Sequence, residues 1–414
     1  MKTKIVSVAV GILLSGTLCF GQSLLGLKYP FGVPLRSQSG MALAMGGASV
    51  AVPDDQHVLL SNPANLGSIN RTVFSSLVSF DFLNLKSEDG STNHLTLLPK
   101  QISFGVSMEK FGGIGFSMER RSNAETKYQI DSLVQNPATV SRLERSLSQN
   151  GGLTSYGIGY GISFGKWVSA GLRYDRVYLS IDNSKLSTVY GESFGAQSGI
   201  SYEEDARDSV RFLWGGNGVR LGVTSRVVKG VTVGVAGEYY FESKASKKLV
   251  LYSGNYTINT AKLEHDFQLP PTITGGASWN ITPQWIVAGD VSTTFWDYFH
   301  SGGLIEKPDV EYATGFSAGA QFIPAPELLA PKYWETIQWR GGFNYTQLPA
   351  KDSRQYTFSL GSGLPLKANG MIDIILEYGR RTDDRYEDYY EELFGISIGI
   401  NGGRKWAKSS RGNY

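Results

Sequence analysis

Residues 154–165 read TSYGIGYGISFG. Successive side chains of an extended chain point to opposite faces. Tyr156, Ile158, Tyr160, Ile162 and Phe164 therefore share one face, and Ser155, Gly157, Gly159, Gly161, Ser163 and Gly165 share the other. The first face is bulky and apolar. The second is made of hydrogens and hydroxymethyl groups. The same split recurs in QISFGVSM (101–108), GIGFSME (113–119), GVTVGVAGEYYF (230–241), TGFSAGAQF (314–322) and FGISIGI (394–400). A soluble sandwich would alternate too, but with charge on its outward face. Here the aromatic face suits lipid and the small, weakly polar face suits a wet or plugged lumen. The expected fold is all-β: a transmembrane antiparallel barrel of about fourteen strands, including single strands at 113–127 and 264–281.

The connections support this. Charge gathers in KSEDGSTNH (86–94), DSLVQNPATVSRLERSLSQNGG (131–152), YEEDARDS (202–209), SKASKK (243–248) and RRTDDRYEDYYEE (380–392), which read as long loops. The alternate connections are tight, as in EKFGG (109–113), GKW (165–167) and VKG (228–230). Long loops on one side and short turns on the other are the asymmetry of a bacterial outer-membrane barrel. IPAPELLAPKYWET (323–336) breaks the pattern, being long where a periplasmic turn is expected. Aromatics at strand ends, namely Trp167, Trp285, Trp296, Tyr298, Trp339 and Trp406, read as interfacial girdles.

Composition agrees. The 414 residues include 50 Gly, and only 18% are charged, against about 25% in ordinary soluble chains. The net charge of +2 implies no nucleic-acid partner. His57, His94, His265 and His300 are scattered, without metal-ligand spacing. Residues 1–21 have the basic start, apolar core and small-residue end of a signal peptide, with cleavage expected before Gln22. Cys19, the one cysteine, would leave with it, so neither disulfide nor thiolate chemistry is expected. No catalytic constellation, cofactor motif or metal site stands out. GIGYG (157–161) lies inside an alternating strand, whereas a phosphate loop needs a following helix.

Between the signal and the first strand lies a segment of another kind. Residues 22–70 include GMALAMGGASVAV and SNPANLG, small-residue and nearly uncharged. A barrel of about fourteen strands is wider than its own side chains can fill. The segment is therefore read as a hatch in the lumen of the barrel formed by 71–404, with a basic tail at 405–414.

At this point a resemblance becomes specific. MGGASVAVPDDQHVLLSNPANLG (45–67), with Gly46, Gly47 and the triplet Asn62, Pro63 and Ala64, resembles the hatch of the FadL-type outer-membrane transporters of long-chain fatty acids and other hydrophobic compounds. LPPTITGGASWNITPQWIVAGDVSTTFWDYF (269–299) is similar to that family's strand-turn-strand unit, with Asp290 and Trp296 in its Asp and Trp positions. The stretch 339–381 is similar as well. The resemblance implies a fourteen-stranded barrel with a hatch, and passive uptake of a hydrophobic, fatty-acid-like molecule from an outer membrane of lipid and lipopolysaccharide. It places the mature N-terminus, with Leu24, Leu25, Leu27, Tyr29 and Phe31, in a ligand pocket; packing of these residues on the barrel wall is the alternative. The shuttle proteins of the type IX secretion system share the pattern, so a scaffold for exported proteins stands as the second functional reading.

Polar residues inside the alternation are weighed last. Glu109, Glu119 and Glu238 are expected to face inward, with Arg120, Arg173, Arg220 and Arg226 available as partners. The acidic run Asp383, Asp384, Glu387, Asp388, Glu391 and Glu392 reads as a solvated loop rather than a cation site.

Overall fold

A sheet edge left open in a bilayer would expose unpaired backbone groups to hydrocarbon. This sheet closes on itself, forming fourteen antiparallel staves among the described residues. The computed structural model describes residues 29, 31–36, 39–54, 56–87, 90–136, 139–193, 200–253, 256–366, 369–384 and 390–404. The predicted signal, Leu24, Leu25, Leu27, Trp406 and the tail 405–414 lie outside them. The staves are β1 (Thr72–Ser87), β2 (Gly90–Ser107), β3 (Gly113–Arg120, resumed as Thr126–Asn136), β4 (Thr139–Phe164), β5 (Val168–Ser193), β6 (Ile200–Val228) and β7 (Val231–Tyr240, resumed as Ser243–Ser253). Then follow β8 (Thr272–Asn280, preceded by Leu263–Phe267), β9 (Trp285–Phe295), β10 (Tyr312–Phe322), β11 (Gln338–Gln347), β12 (Ser353–Leu366), β13 (Gly370–Asp383) and β14 (Tyr390–Arg404). β14 pairs with β1 from Arg404 and Thr72 to Tyr390 and Lys86, which closes the barrel. A closed barrel with an apolar outer belt is how a β-protein spans the outer membrane, and this chain is an outer-membrane protein.

The two faces follow the alternation. Tyr156, Ile158 and Tyr160 are exposed to the lipid side, while Gly157 and Gly159 are buried. Ile158 stands opposite Phe116 on β3 and Tyr174 on β5, giving an apolar row across three strands. We expect Ile158→Arg to block insertion, since Arg on the lipid face near the midplane costs about 2–4 kcal/mol. Gly159 faces the lumen, where an added side chain would press on Leu66 of the hatch. Gly159→Arg should therefore insert but dislodge the hatch. Heat-modifiable gel mobility reads insertion, and equal insertion defects at both positions would refute the face assignment.

Several expectations are corrected. The charged stretches 139–152 and 202–209 are not loops but continued ladder, in β4 and β5 of 26 residues each and β6 of 29. Much of 86–94 and all of 243–248 are strand as well. At about 3.3 Å per residue, such strands reach far beyond an apolar band about 25 Å tall. Once both faces of a hairpin stand in water, charge no longer opposes pairing. The stretch 264–281 is interrupted at residues 268–271, where Pro270 and Pro271 offer no N–H to the ladder. Trp167, Trp285, Tyr298 and Trp339 are exposed as girdle residues should be, but Trp296 is buried at 5%. Glu109 is not inward; it is exposed in the tight turn Glu109–Phe111. The long turn 323–336 exposes Leu328, Leu329, Tyr333 and Trp334, and Phe322, just before it, meets Trp285 in a tilted ring pair with centroids 4.7 Å apart.

The expected single strand 113–127 also breaks. After Arg120 the chain parts from β2, and Ser122–Asn123 pairs on that side with Val33–Pro34 of the N-terminal segment, while the N–H groups of Arg121 and Ala124 still donate to Leu153 O and Gly151 O of β4. That segment thus carries a short strand, contrary to its sequence reading. The β2–β3 ladder stops at the Gln101–Glu119 pair, and the resumed part of β3 pairs with β4. Opposite the break, Gly151 and Gly152 of β4 take φ of 122° and 136°, values that disfavour any side chain.

Candidate functional site: the hatch and the lumen chambers

Small residues let the hatch backbone touch the wall. Helix α1 (Gly40–Ala44) is wholly buried, and its Ala42 N–H donates to the Ser39 side chain at 3.3 Å. Gly46 and Gly47 end it with φ of 69° and 104°, the left-handed geometry that favours glycine. A Cβ added at Gly319, Gly342 or Gly361 of the wall would collide with Met45, Gly46 or Ala44. The second landing lies beneath Asn62, Pro63 and Ala64. Side chains at Gly161, Gly171, Gly222 or Gly234, on four consecutive strands, would strike Pro63, Asn62 or Val50. The glycine face of the barrel strands is thus a seat for the hatch.

Asn62 is fully buried. Its Oδ1 accepts from Ala64 N–H at 3.0 Å, and its Nδ2 donates to Val50 O at 3.0 Å and to Val223 O of β6 at 3.2 Å. One side chain therefore folds the Pro63 turn and ties it to the wall. Asp290 of β9 does the reverse: its Oδ2 accepts from the hatch N–H groups of Ser49 and Val50 at 2.7 and 3.0 Å.

Charged wall residues complete the seat. Arg36 pairs with Glu377, which also accepts from Lys100 at 3.2 Å. His57 lies between Asp54 and Asp373, and Arg340 meets Asp373 at 2.5 Å. Burial alone would lower the His57 pKa, but the carboxylates of Asp54 and Asp373 raise it to about 9. The two carboxylates thus favour the protonated ring between hatch and wall. Arg173, fully buried, binds Glu119 and Asp175. Arg220 donates to Leu60 O of the hatch at 2.8 Å.

Three chambers string along the lumen. The outer one, of about 170 Å³, is lined by Phe31, Leu153, Tyr240, Leu269 and Trp296 among others. The middle one, of about 340 Å³, is lined by charged groups including Arg36, Glu119, Arg220 and Asp290. Pro34, Arg121, Glu238, Thr272 and Thr294 line both. Arg121, from the break in β3, grips Glu238 of β7 with both terminal nitrogens, and Arg220 reaches the same carboxylate at 2.8 Å. This charged clasp lies between the apolar and polar chambers. A third space of about 320 Å³ lies on the far side of α1, lined by Met41, Asp54, Gln56 and Gln338.

The predicted residues are distributed accordingly. Phe31 and Trp296 are brought together, stacked with centroids 5.6 Å apart. Tyr29 packs elsewhere, with Val33, Leu348 and Ala350. Asn62, Pro63, Ala64, Gly46, Gly47 and Asp290 join hatch to wall. Glu119 and Glu238 are paired inward, but Arg120 turns to Asn123 and Arg226 is exposed. Sequence reading missed Arg121, Tyr240, Arg340 and Asp373. Their signal was charge or a polar aromatic at inward positions of alternating strands.

A family profile covers residues 28–413, and its description is BamG. The chain belongs to the BamG family. Among solved structures, this BamG-family chain is similar to a FadL homologue of Pseudomonas aeruginosa, 13% identical with a TM-score of 0.61 over 90% of this chain and 99% of that one. It is similar to the Pseudomonas putida toluene transporter TodX, 17% identical with a TM-score of 0.59 over 89% and 99%. It is also similar to the CymD monoaromatic hydrocarbon channel, 16% identical with a TM-score of 0.57 over 91% and 100%. No curated protein matches it in sequence. At these identities the solved structures establish a shared fold, the barrel of FadL type.

Proposed function

We propose that the barrel is a passive channel for small hydrophobic compounds, which enter the outer aromatic chamber and leave beside the hatch or sideways through the break in β3. The observation that carries this reading is the outer chamber itself, an apolar pocket in the lumen walled by Phe31, Leu153, Leu269 and Trp296. Its volume suits a ring or one end of an acyl chain, and long-chain fatty acids belong to the proposal on the second count. The charged middle chamber makes the downward route costly for an apolar solute, since its ion pairs would lose partners or water. The wall seam above the Gln101–Glu119 pair offers the other route.

The clasp of Arg121 and Glu238 ties that seam to β7. Glu238→Gln weakens it and should raise passage severalfold. The measurement is entry of labelled toluene and of a labelled long-chain fatty acid across vesicles with a lipopolysaccharide outer leaflet. Entry no faster than through protein-free vesicles, for both solutes and both proteins, would remove the transport reading and leave the exported-protein scaffold.

A further inference from the structure

Arg176 of β5 stands on the lipid-facing side of the wall. It shares the parity of Leu172, Tyr174 and Tyr178, which are exposed, and not that of Arg173, Asp175 and Val177, which are buried. The register sets it opposite Tyr156 on β4 and Asn217 on β6. Its height follows from the strand. Arg176 comes nine residues after Trp167 of the lower rim, about 30 Å along the strand at 3.3 Å per residue. At the usual tilt of about 35–45° this is about 23 Å of height, against an apolar band about 25 Å tall. The guanidinium therefore stands at the outer-leaflet interface. The exposed rings of Tyr156, Tyr174 and Tyr178 around it make the upper girdle, Tyr156 and Tyr178 meeting edge to face with centroids 6.0 Å apart.

The partners of this cation are all neutral. Nε donates to the Tyr178 hydroxyl at 3.3 Å and Nη1 to Asn217 Oδ1 at 2.8 Å, and the guanidinium carbon lies 5.1 Å from the Tyr178 ring centroid. Among the described residues no carboxylate pairs with Arg176, and its Nη2 makes no hydrogen bond. Gly215 of β6 leaves that nitrogen uncovered; a Cβ there would come within 3.0 Å of it. Arg120 of β3, at a similar height, is by contrast turned to Asn123, Glu125 and Gly151 O. An open groove of about 520 Å³ runs along Arg176, between Tyr156 and Tyr178 and bordered by Gly152, Thr154 and Ser180.

We propose that this groove binds a phosphate of an outer-leaflet glycolipid, the lipid A end of lipopolysaccharide, with Arg176 as the anion's partner. A guanidinium presents a planar fork of donors that matches phosphate oxygens, and charge-assisted bonds of this kind are the strong ones. The groove's height is that of the outer-leaflet headgroups, and the phosphates of the inner leaflet lie across the apolar band. Acyl chains of the same lipid would run down over the exposed Ile158 and Leu172. The site is on the outer wall, so it holds whatever the lumen carries.

The test is native mass spectrometry of the full-length barrel released from phosphatidylethanolamine nanodiscs that contain a small fraction of lipid A. The wild type should retain lipid A. Arg176→Gln removes the charge and should lower retention about tenfold, the weight of one charge-assisted hydrogen bond. Gly215→Val keeps the charge but covers Nη2, and should lower retention several-fold. Arg211→Gln is the control, since this exposed cation higher on β6 is already paired with Asp182. Lipid A stripped of its phosphates should be held no better by the wild type than by Arg176→Gln. Equal retention of lipid A by the wild type and Arg176→Gln, or of phosphorylated and stripped lipid A by the wild type, would overturn the proposal. Phosphatidylglycerol held as tightly as lipid A would overturn the glycolipid assignment. Heat-modifiable mobility checks that each variant is folded, and if Arg176→Gln does not insert, undiminished retention in Gly215→Val is the overturning result.

Discussion

Deleting residues 22–68 is expected to convert a nearly closed barrel into a conducting pore without unfolding it. Fourteen staves enclose more space than side chains fill, and the described hatch residues occupy that space. Barrel stability resides in the closed ladder and lipid contact, which the deletion leaves intact. Wall groups that lose hatch partners, such as Asp290 and Glu377, would be hydrated by the water that enters. Planar-bilayer conductance should rise from near the noise to a steady open level. Graded versions should order themselves by contact. Gly171→Leu drives a side chain into the Pro63 backbone, which cannot move aside, and should approach the deletion. Asn62→Ala removes the bonds to Val50, Val223 and Ala64, at about 1–3 kcal/mol for the groups left unpaired, and should produce flickering openings. Gly275→Leu is the control: it stands opposite the exposed Val235 and Val291, with open space around it. Low conductance in the deletion, with normal heat-modifiable mobility, would show that the hatch is not what closes the lumen.

The barrel was legible because its signal is local. Alternation between aromatic and glycine is visible in any ten residues, and inside-outside sense follows from it. Strand ends were less legible. In lipid, charge marks the end of a strand; beyond lipid it does not, and Glu144 and Arg145 sit in the ladder opposite Thr188 and Ser187. The break in β3 was illegible for a different reason. Nothing near Arg121 forbids strand. The break exists because Val33–Pro34, nearly ninety residues earlier, takes over the pairing of Ser122–Asn123. Trp296 shows the limit of position as a guide. It stands at a strand end like the girdle residues Trp285 and Trp339, yet the chain turns inward there and Phe31 covers it. Asn62, Pro63 and Ala64 were recognisable by resemblance, but their seat was not, since it is made of glycines on four strands that meet only in the closed barrel.

The glycines of 154–165 bear on the last and most costly change. Gly157 faces Arg173 so closely that any side chain there would strike the guanidinium. Gly159 faces Leu66 and Gly161 faces Pro63. One strand thus makes room for a buried cation and for the hatch in three successive inward positions. Arg173 uses that room to bind Glu119 at 2.6 Å and Asp175 at 2.6 Å, and its Nη1 donates to Leu60 O of the hatch at 3.4 Å. Arg173→Met keeps most of the volume and removes the charge. Two buried carboxylates would then lose their ion-pair partner, keeping the hydroxyls of Ser117 and Ser155 as hydrogen-bond donors and the more distant charge of Arg220. Breaking a buried ion pair from one side costs about 3–5 kcal/mol, so the denaturant midpoint of the folded barrel should fall markedly. Neutralising the carboxylates as well, with Glu119→Gln and Asp175→Asn beside Arg173→Met, should recover most of the loss, because no unmatched charge remains. The hatch would lose a tether in both variants, so conductance should rise in both while stability recovers only in the triple one. An unchanged midpoint in Arg173→Met would mean that water reaches these carboxylates and that the lumen at this level is wet; equal loss in the single and triple variants would assign the effect to packing rather than charge.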